Sequence, residues 1–320
     1  MYQLNTMRKL YNVLLLIFLF MIIGGPSMPE IRPDLLNSVC FRALKKEKEK
    51  KYIPETDITE QLRNELNASL DVNLPAGRFY VSESIIVQGY SGTIKGAGRN
   101  ETVIEPTTGF KAKSDPCFKS TFRLTEIFSL YLSKGDVTFK DLTIQIIGKT
   151  PAEVHNNPFF GKVTTIDNAI VVSGVHPEAG EGITVTLSDL KITGEPSNDT
   201  LSLHGKNLAL ALVVCGLPDN KPLNAVIRNC EIENCGLFAI EYGDVFDGSG
   251  LITGNEIVNS YKGISMSSLT DSLTVLGNVI ITDNIFKNMT RGAIFNHTKW
   301  HRYCSKNNTK DGVLIPDDCQ

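Results

Sequence analysis

The chain has 320 residues, is 42% hydrophobic and 21% charged, and carries 32 Lys and Arg against 35 Asp and Glu, for a net charge of −3. That length and apolar content are enough for a sizeable core without help from a metal or a cofactor, and neither is expected. The charge balance excludes an electrostatic footprint for nucleic acid, and no broad single-sign block marks a membrane surface or a polyanion as partner.

Residues 1–27 read as a targeting segment. Arg8 and Lys9 precede an unbroken apolar run from Val13 to Ile23, followed by Gly24, Gly25, Pro26 and Ser27. The run is too short to cross a bilayer comfortably and suits the core of a signal peptide, with an uncleaved anchor as the alternative. The expected location is therefore secreted or cell-surface, with no other membrane contact. Residues 28–54 read as a linker whose charged run, Lys45 to Lys51, is solvated.

A short helix follows. Asp57 is placed to cap it, with Glu60 completing a capping box. Ile58, Leu62, Leu66 and Leu70 fall on one face at i, i+4 spacing. Such a helix would cover the open end of a repeat structure.

The pattern then turns to short β-branched strands between Gly-rich turns. Five segments read alike: Val137 to Asp141, Val185 to Asp189, Ala225 to Asn229, Leu251 to Asn255 and Ile280 to Asn284. A second short strand follows each, holding Ile144, Ile192, Ile232, Ile257 or Phe286. Asn234, Asn259 and Asn288 then recur at the next turn, 25 and 29 residues apart. Three short strands per repeat are one coil of a parallel β-helix, each adding a strand to three parallel sheets. The first two coils, about 48 and 40 residues long, carry inserted loops. A β-sandwich would instead require hairpins between neighbouring strands.

Of the seven cysteines, Cys304 and Cys319 are placed to tie down the C-terminal tail, and the odd number leaves at least one thiol free or intermolecular. The spacings do not fit zinc, and Cys230 reads as a buried inert thiol. Sequons at Asn67, Asn100, Asn198, Asn288, Asn296 and Asn307 would take glycans in a host that glycosylates.

Leu74-Pro75-Ala76-Gly77-Arg78-Phe79-Tyr80, then Ile94-Lys95-Gly96-Ala97-Gly98 with Thr102-Val103-Ile104, and the recurring Asn turns together resemble the pectin lyase-like superfamily. The resemblance covers about residues 55–300. It implies an all-β, right-handed parallel β-helix domain over 55–303 with an N-terminal capping helix; the positions of Cys304 and Cys319 add a disulfide-tied tail over 304–320. It also implies a polysaccharide partner, acidic or complex, bound along one sheet between walls of loops. The motifs of the superfamily's familiar enzymes do not carry over: Thr165-Ile166-Asp167-Asn168 is a poor match to the polygalacturonase pattern, and the calcium-binding aspartates of the lyases are missing.

The sheet that would floor such a groove comprises residues 169–172, 208–214, 238–242, 263–266 and 292–295. The first two are apolar in both parities, so simple alternation brings no acid, base or nucleophile outward from them. Candidates for chemistry lie later. Glu241 with Asp244 or Asp247 could supply the two carboxylates of glycoside hydrolysis. Lys262 and Arg291, each three residues after a turn Asn, could stabilise the enediolate of uronate elimination as stacked neighbours. Solvated turn charge, or salt bridges between coils, is the plainer reading of both sets. His297 and His301 follow the last strand. His155, His176 and His204 lie alone in loops and form no recognisable metal set. Trp300 and Tyr303 could stack on a sugar or cover the end of the solenoid, and the tail disulfide favours the latter.

The expected function is polysaccharide recognition without catalysis or with weak catalysis. The alternatives are a lyase or hydrolase of acidic, uronate-containing glycans, and a structural or adhesive surface protein, which would expose an apolar stripe. Oligomeric state is not legible.

Overall fold

The computed structural model describes residues 52–111, 126–146, 148, 155–157, 161–163, 166–175, 183–196, 208–215, 223–243, 248–267, 278–297 and 303–319. The targeting segment and most of the linker lie outside these residues.

The chain is a right-handed parallel β-helix. Its three sheets follow one another around each coil. In the first sheet Val137 pairs with Val185, Val185 with Ala225, Ala225 with Gly250, Gly250 with Val279 and Val279 with Tyr303, all in parallel. In the second, Ile144 pairs with Ile192, then Ile232, Ile257 and Phe286. In the third, Phe128 pairs with Ile170, then Leu212, Ile240, Ile264 and Ile294. Among the described residues, antiparallel pairing is confined to a small ribbon at 155–157 with 161–163 and to the C-terminal tail. Hairpins therefore do not build the body of the fold, which rules out the sandwich.

The interior is a set of apolar ladders one coil apart. Phe139, Leu187, Ile227, Ile252 and Ile281 rise through the first sheet, and Ile144, Ile192, Ile232, Ile257 and Phe286 through the second, all at most 1% exposed. Each rung removes a large side chain from water, worth about 1.5–3 kcal/mol for a residue of this size.

The turn between the first two sheets corrects the alignment read from the sequence. Asp141, Asp189, Asn229, Gly254, Asp283 and Asn307 share one position and all have φ between 53° and 63°. Asp, Asn and Gly recur there because they tolerate the left-handed region. Asn255 and Asn284 sit one residue further on, level with Leu142, Leu190, Cys230 and Asn308, and every side chain at this position is at most 1% exposed. The buried asparagine ladder is thus Asn255, Asn284 and Asn308. Asn234, Asn259 and Asn288 instead mark the next turn, again with positive φ, and there Asn288 Nδ2 donates to Asn259 Oδ1 at 2.7 Å.

Both ends are covered. The helix Thr59–Asn67 buries Leu62 and Leu66 against the first coils. Asp57 Oδ1 accepts from the Thr59 amide at 2.9 Å and the Thr59 hydroxyl at 2.6 Å. Glu60 bonds Arg63 rather than reaching back to complete a capping box. Leu70, expected on the apolar face, lies beyond the helix and is 42% exposed. Tyr52, assigned to the linker, is in the core, with its ring edge-on to Phe79 and its hydroxyl donating to Glu65 at 2.6 Å. At the other end Tyr303–Lys306 and Thr309–Lys310 continue the first two sheets. The tail then turns back, pairing Cys304 with Cys319 across antiparallel strands and joining them by a disulfide.

Candidate functional site

The third sheet repeats a six-residue pattern in strand after strand. In register stand Glu126 to Tyr131, Asn168 to Ser173, Leu210 to Cys215, Phe238 to Gly243, Lys262 to Ser267 and Gly292 to His297. The third and fifth residues of the first five strands, and the second of the first four, join the main core, as Ala169, Ile170 and Val172 do. Two neighbouring residues therefore face inward at the start of each strand, which breaks simple alternation. The first and fourth residues face out. The second position holds only Ala or Gly from the second strand onward. At Gly263 an added Cβ would come within 2.2 Å of the Ala293 carbonyl and 2.5 Å of the Phe286 ring.

This outer face has three zones. The first, missed by the sequence reading, is polar: Glu126, Ser129, Tyr131, Asn168 and Ser173 are all buried. Among the described residues, Tyr131, Asn168 and Ser173 each keep a side-chain oxygen without a hydrogen-bond partner. The signal was present in the alternation of Ser129 and Tyr131 with Phe128 and Leu130. The sheet expected from the sequence begins at residue 169, so it omits strand 126–132 and stops one residue short of Asn168. The second zone is apolar as expected, with Val171, Ala209, Leu210, Val213 and Cys215 forming a cluster separate from the core and flanked by Leu237 and Phe238.

The third zone holds the candidate residues. Lys262 Nζ stands 4.8 Å from the ring centroids of both Phe238 and Phe295 and 5.7 Å from that of Tyr261. Arg291 Cζ is 5.9 Å from the Tyr261 ring, and its Nε donates to the Tyr261 hydroxyl at 3.1 Å. Phe238 and Phe295 meet edge to face at 6.1 Å, and His297 stacks on Phe295 at 5.9 Å. Among the described residues neither Lys262 nor Arg291 takes part in a salt bridge. The second sheet differs: there Lys191 pairs with Glu231 and Glu233, Arg99 with Glu231, and Lys287 with Glu256, so its outward charges are already matched between coils.

Lys262 and Arg291 come together, but not as stacked equivalents. Lys262 pairs in register with Gly292, while the Arg291 amide bonds the Tyr261 carbonyl at 2.9 Å. One extra residue in the later turn offsets the two cations, and both approach the Tyr261 ring. Glu241 is half-buried on the strand before Lys262, in register with Ser265. Asp244, Asp247, Trp300, His176, His204, His301 and the Asn198 sequon lie outside the described residues, and His155 is in the antiparallel ribbon. Tyr303 is 3% exposed inside the last coil and offers no face to a sugar. Asn67, Asn100, Asn288, Asn296 and Asn307 are all exposed. Burial pushes the Cys230 thiol up to about 12, consistent with an inert core residue.

No family model matches the chain, and no curated protein matches it. Among solved structures the chain is similar to pectin methylesterase PemA from Erwinia chrysanthemi, at 11% identity over 83% of this chain and 92% of that one, with a TM-score of 0.34. It is also similar to ORF18 of Geobacillus virus E2, at 12% identity over 92% and 67% with a TM-score of 0.27. A third similarity is to the A-module of the mannuronan C-5 epimerase AlgE4 from Azotobacter vinelandii, at 12% identity over 84% and 78% with a TM-score of 0.25.

Proposed function

We propose that the chain is an exported protein that binds an acidic polysaccharide on the outer face of its third sheet, across the strands Phe238–Gly243, Lys262–Ser267 and Gly292–Asn296. The observation that carries this reading is the group of aromatic rings around two cations that have no carboxylate partner of their own among the described residues. Aromatic faces take the C–H side of a sugar ring, and a cation beside them takes a carboxylate on the same ring. The tail disulfide suits an oxidising compartment outside the cytosol. The half-buried Glu241 on the strand next to Lys262 supports a second reading, in which a base and a cation on this face eliminate across a uronate linkage.

The test is titration of the purified chain with oligomers of galacturonate, mannuronate and guluronate and with neutral glycans, following heat of binding and ultraviolet absorbance together. Saturable binding of the acidic oligomers without absorbance supports recognition. Growth of absorbance from unsaturated product, lost in Glu241→Gln, supports the lyase. Absence of binding to every glycan overturns both.

A further inference from the structure

We infer that Ser265 is the residue through which this face distinguishes one uronate from another, a step that rests on the polysaccharide reading and deepens it. Ser265 lies on the outer face: its neighbours Ile264 and Met266 are both 0% exposed members of the main core, while its partners in register, Glu241 and Phe295, are half-buried residues of the binding face. It is a short side chain between two long ones, on the same strand as Lys262. It is 0% exposed, and its Oγ has no hydrogen-bond partner among the described residues.

A buried hydroxyl without a partner is costly in a folded chain, and replacing it by a methyl group removes that cost. Nothing in the packing requires an oxygen here, since the equivalent position is Val171 in one earlier coil and Val213 in the next. A ligand does give the oxygen a use. A uronate stacked on Phe295 with its carboxylate on Lys262 draws the ammonium off the rings it now stands over. A ring hydroxyl of that sugar is then directed at the floor between Glu241 and Phe295, where Ser265 Oγ donates to it or accepts from it. Uronates differ in the axial or equatorial setting of their hydroxyls, so a single fixed oxygen favours one uronate over another.

The experiment compares wild type, Ser265→Ala and Lys262→Ala in titrations with galacturonate and mannuronate tetramers, and records the Tm of each without ligand. The expected result is a Tm for Ser265→Ala equal to or above that of wild type, together with an affinity for the preferred uronate about three- to tenfold weaker. The preference between the two uronates shrinks by the same factor. Lys262→Ala weakens both uronates alike. An unchanged affinity and preference in Ser265→Ala, with Lys262→Ala still impaired, overturns the inference and leaves the polysaccharide reading standing. A fall in Tm for Ser265→Ala also overturns it, because the hydroxyl is then structural. Failure of wild type to bind either tetramer overturns the polysaccharide reading itself.

Discussion

The Asn255 side-chain amide donates to Asn284 Oδ1 at 2.9 Å, and the Asn255 backbone amide donates to the same oxygen at 3.0 Å. Asn284 Nδ2 in turn bonds the Ile252 carbonyl and Asn308 Oδ1, each at 2.9 Å. One fully buried side chain therefore ties its own coil to the coils before and after it. Asn284→Ala is expected to lower stability by about 3 kcal/mol, since several buried groups lose their partner at once. Asn284→Leu is expected to be no better, although Leu142 and Leu190 occupy the same position in earlier coils, because here the neighbours are asparagines. Urea unfolding with an unchanged m-value checks the prediction.

The ladder also shows what a sequence makes legible. Strand pairing around the coil could be read because β-branched runs and Gly or Asn turns recur at a nearly fixed period. The phase of the ladder could not, because Gly254 takes the turn position that Asn229 fills elsewhere and Asp283 takes it in the next coil. Aligning the visible asparagines therefore shifted Asn255 and Asn284 by one residue. The same difficulty hid the polar zone at Glu126 and Asn168. Strict alternation predicts one face for every second residue, but Ala169 and Ile170 both point inward. Lys262 and Arg291 were legible as a pair by their distance from turn asparagines. Their offset about Tyr261 was not, since it depends on one extra residue in a turn. Phe238, Phe295 and Ser265 acquire meaning only once three coils are stacked.

Asp57 makes the cap sensitive to acid. Partial burial pushes its carboxyl up, but hydrogen bonds from Ser82 and Thr59 and the nearby Arg63 outweigh this and hold it below the ordinary value. A carboxylate with a lowered folded value contributes stability that is present above its unfolded value, near pH 4, and is lost as pH falls through the folded one. Asp57→Ala is expected to cost about 1 kcal/mol at pH 7, as for loss of the hydrogen bonds that its carboxylate accepts from Thr59, and much less at pH 2. Thermal melts at the two pH values test the difference. An equal loss at both would show that charge plays no part.

The disulfide between Cys304 and Cys319 holds down the two antiparallel pairings that end the solenoid. Closing a loop of that length stabilises by about 3 kcal/mol, and the effect is local, because each coil of a solenoid contacts only its neighbours. Cys304→Ala with Cys319→Ala is expected to speed amide exchange over residues 303–319 strongly while leaving residues 137–146 and 183–194 protected. Uniform loss of protection along the chain would show that the tail instead nucleates the whole fold.

Charge and stacking at the binding face can be separated by salt. Lys262 offers a point charge, half-buried and without a salt-bridge partner among the described residues, whereas Phe238 and Phe295 offer ring faces. A contact between an ammonium and a ligand carboxylate weakens as the screening length shortens from about 10 Å at 0.1 M salt to about 3 Å at 1 M. Burial of a sugar on an aromatic ring does not weaken in this way. Lys262→Met keeps the length and apolar body of the side chain but removes the charge. It is expected to weaken binding of a galacturonate tetramer about tenfold at 0.1 M salt and to flatten the salt dependence. Phe295→Ala is expected to weaken binding by a comparable factor with the salt dependence intact, because the cation stays. If the two variants show the same salt slope, the ammonium and the rings do not read separate parts of the ligand, and Arg291, beside Tyr261, becomes the group that meets the carboxylate.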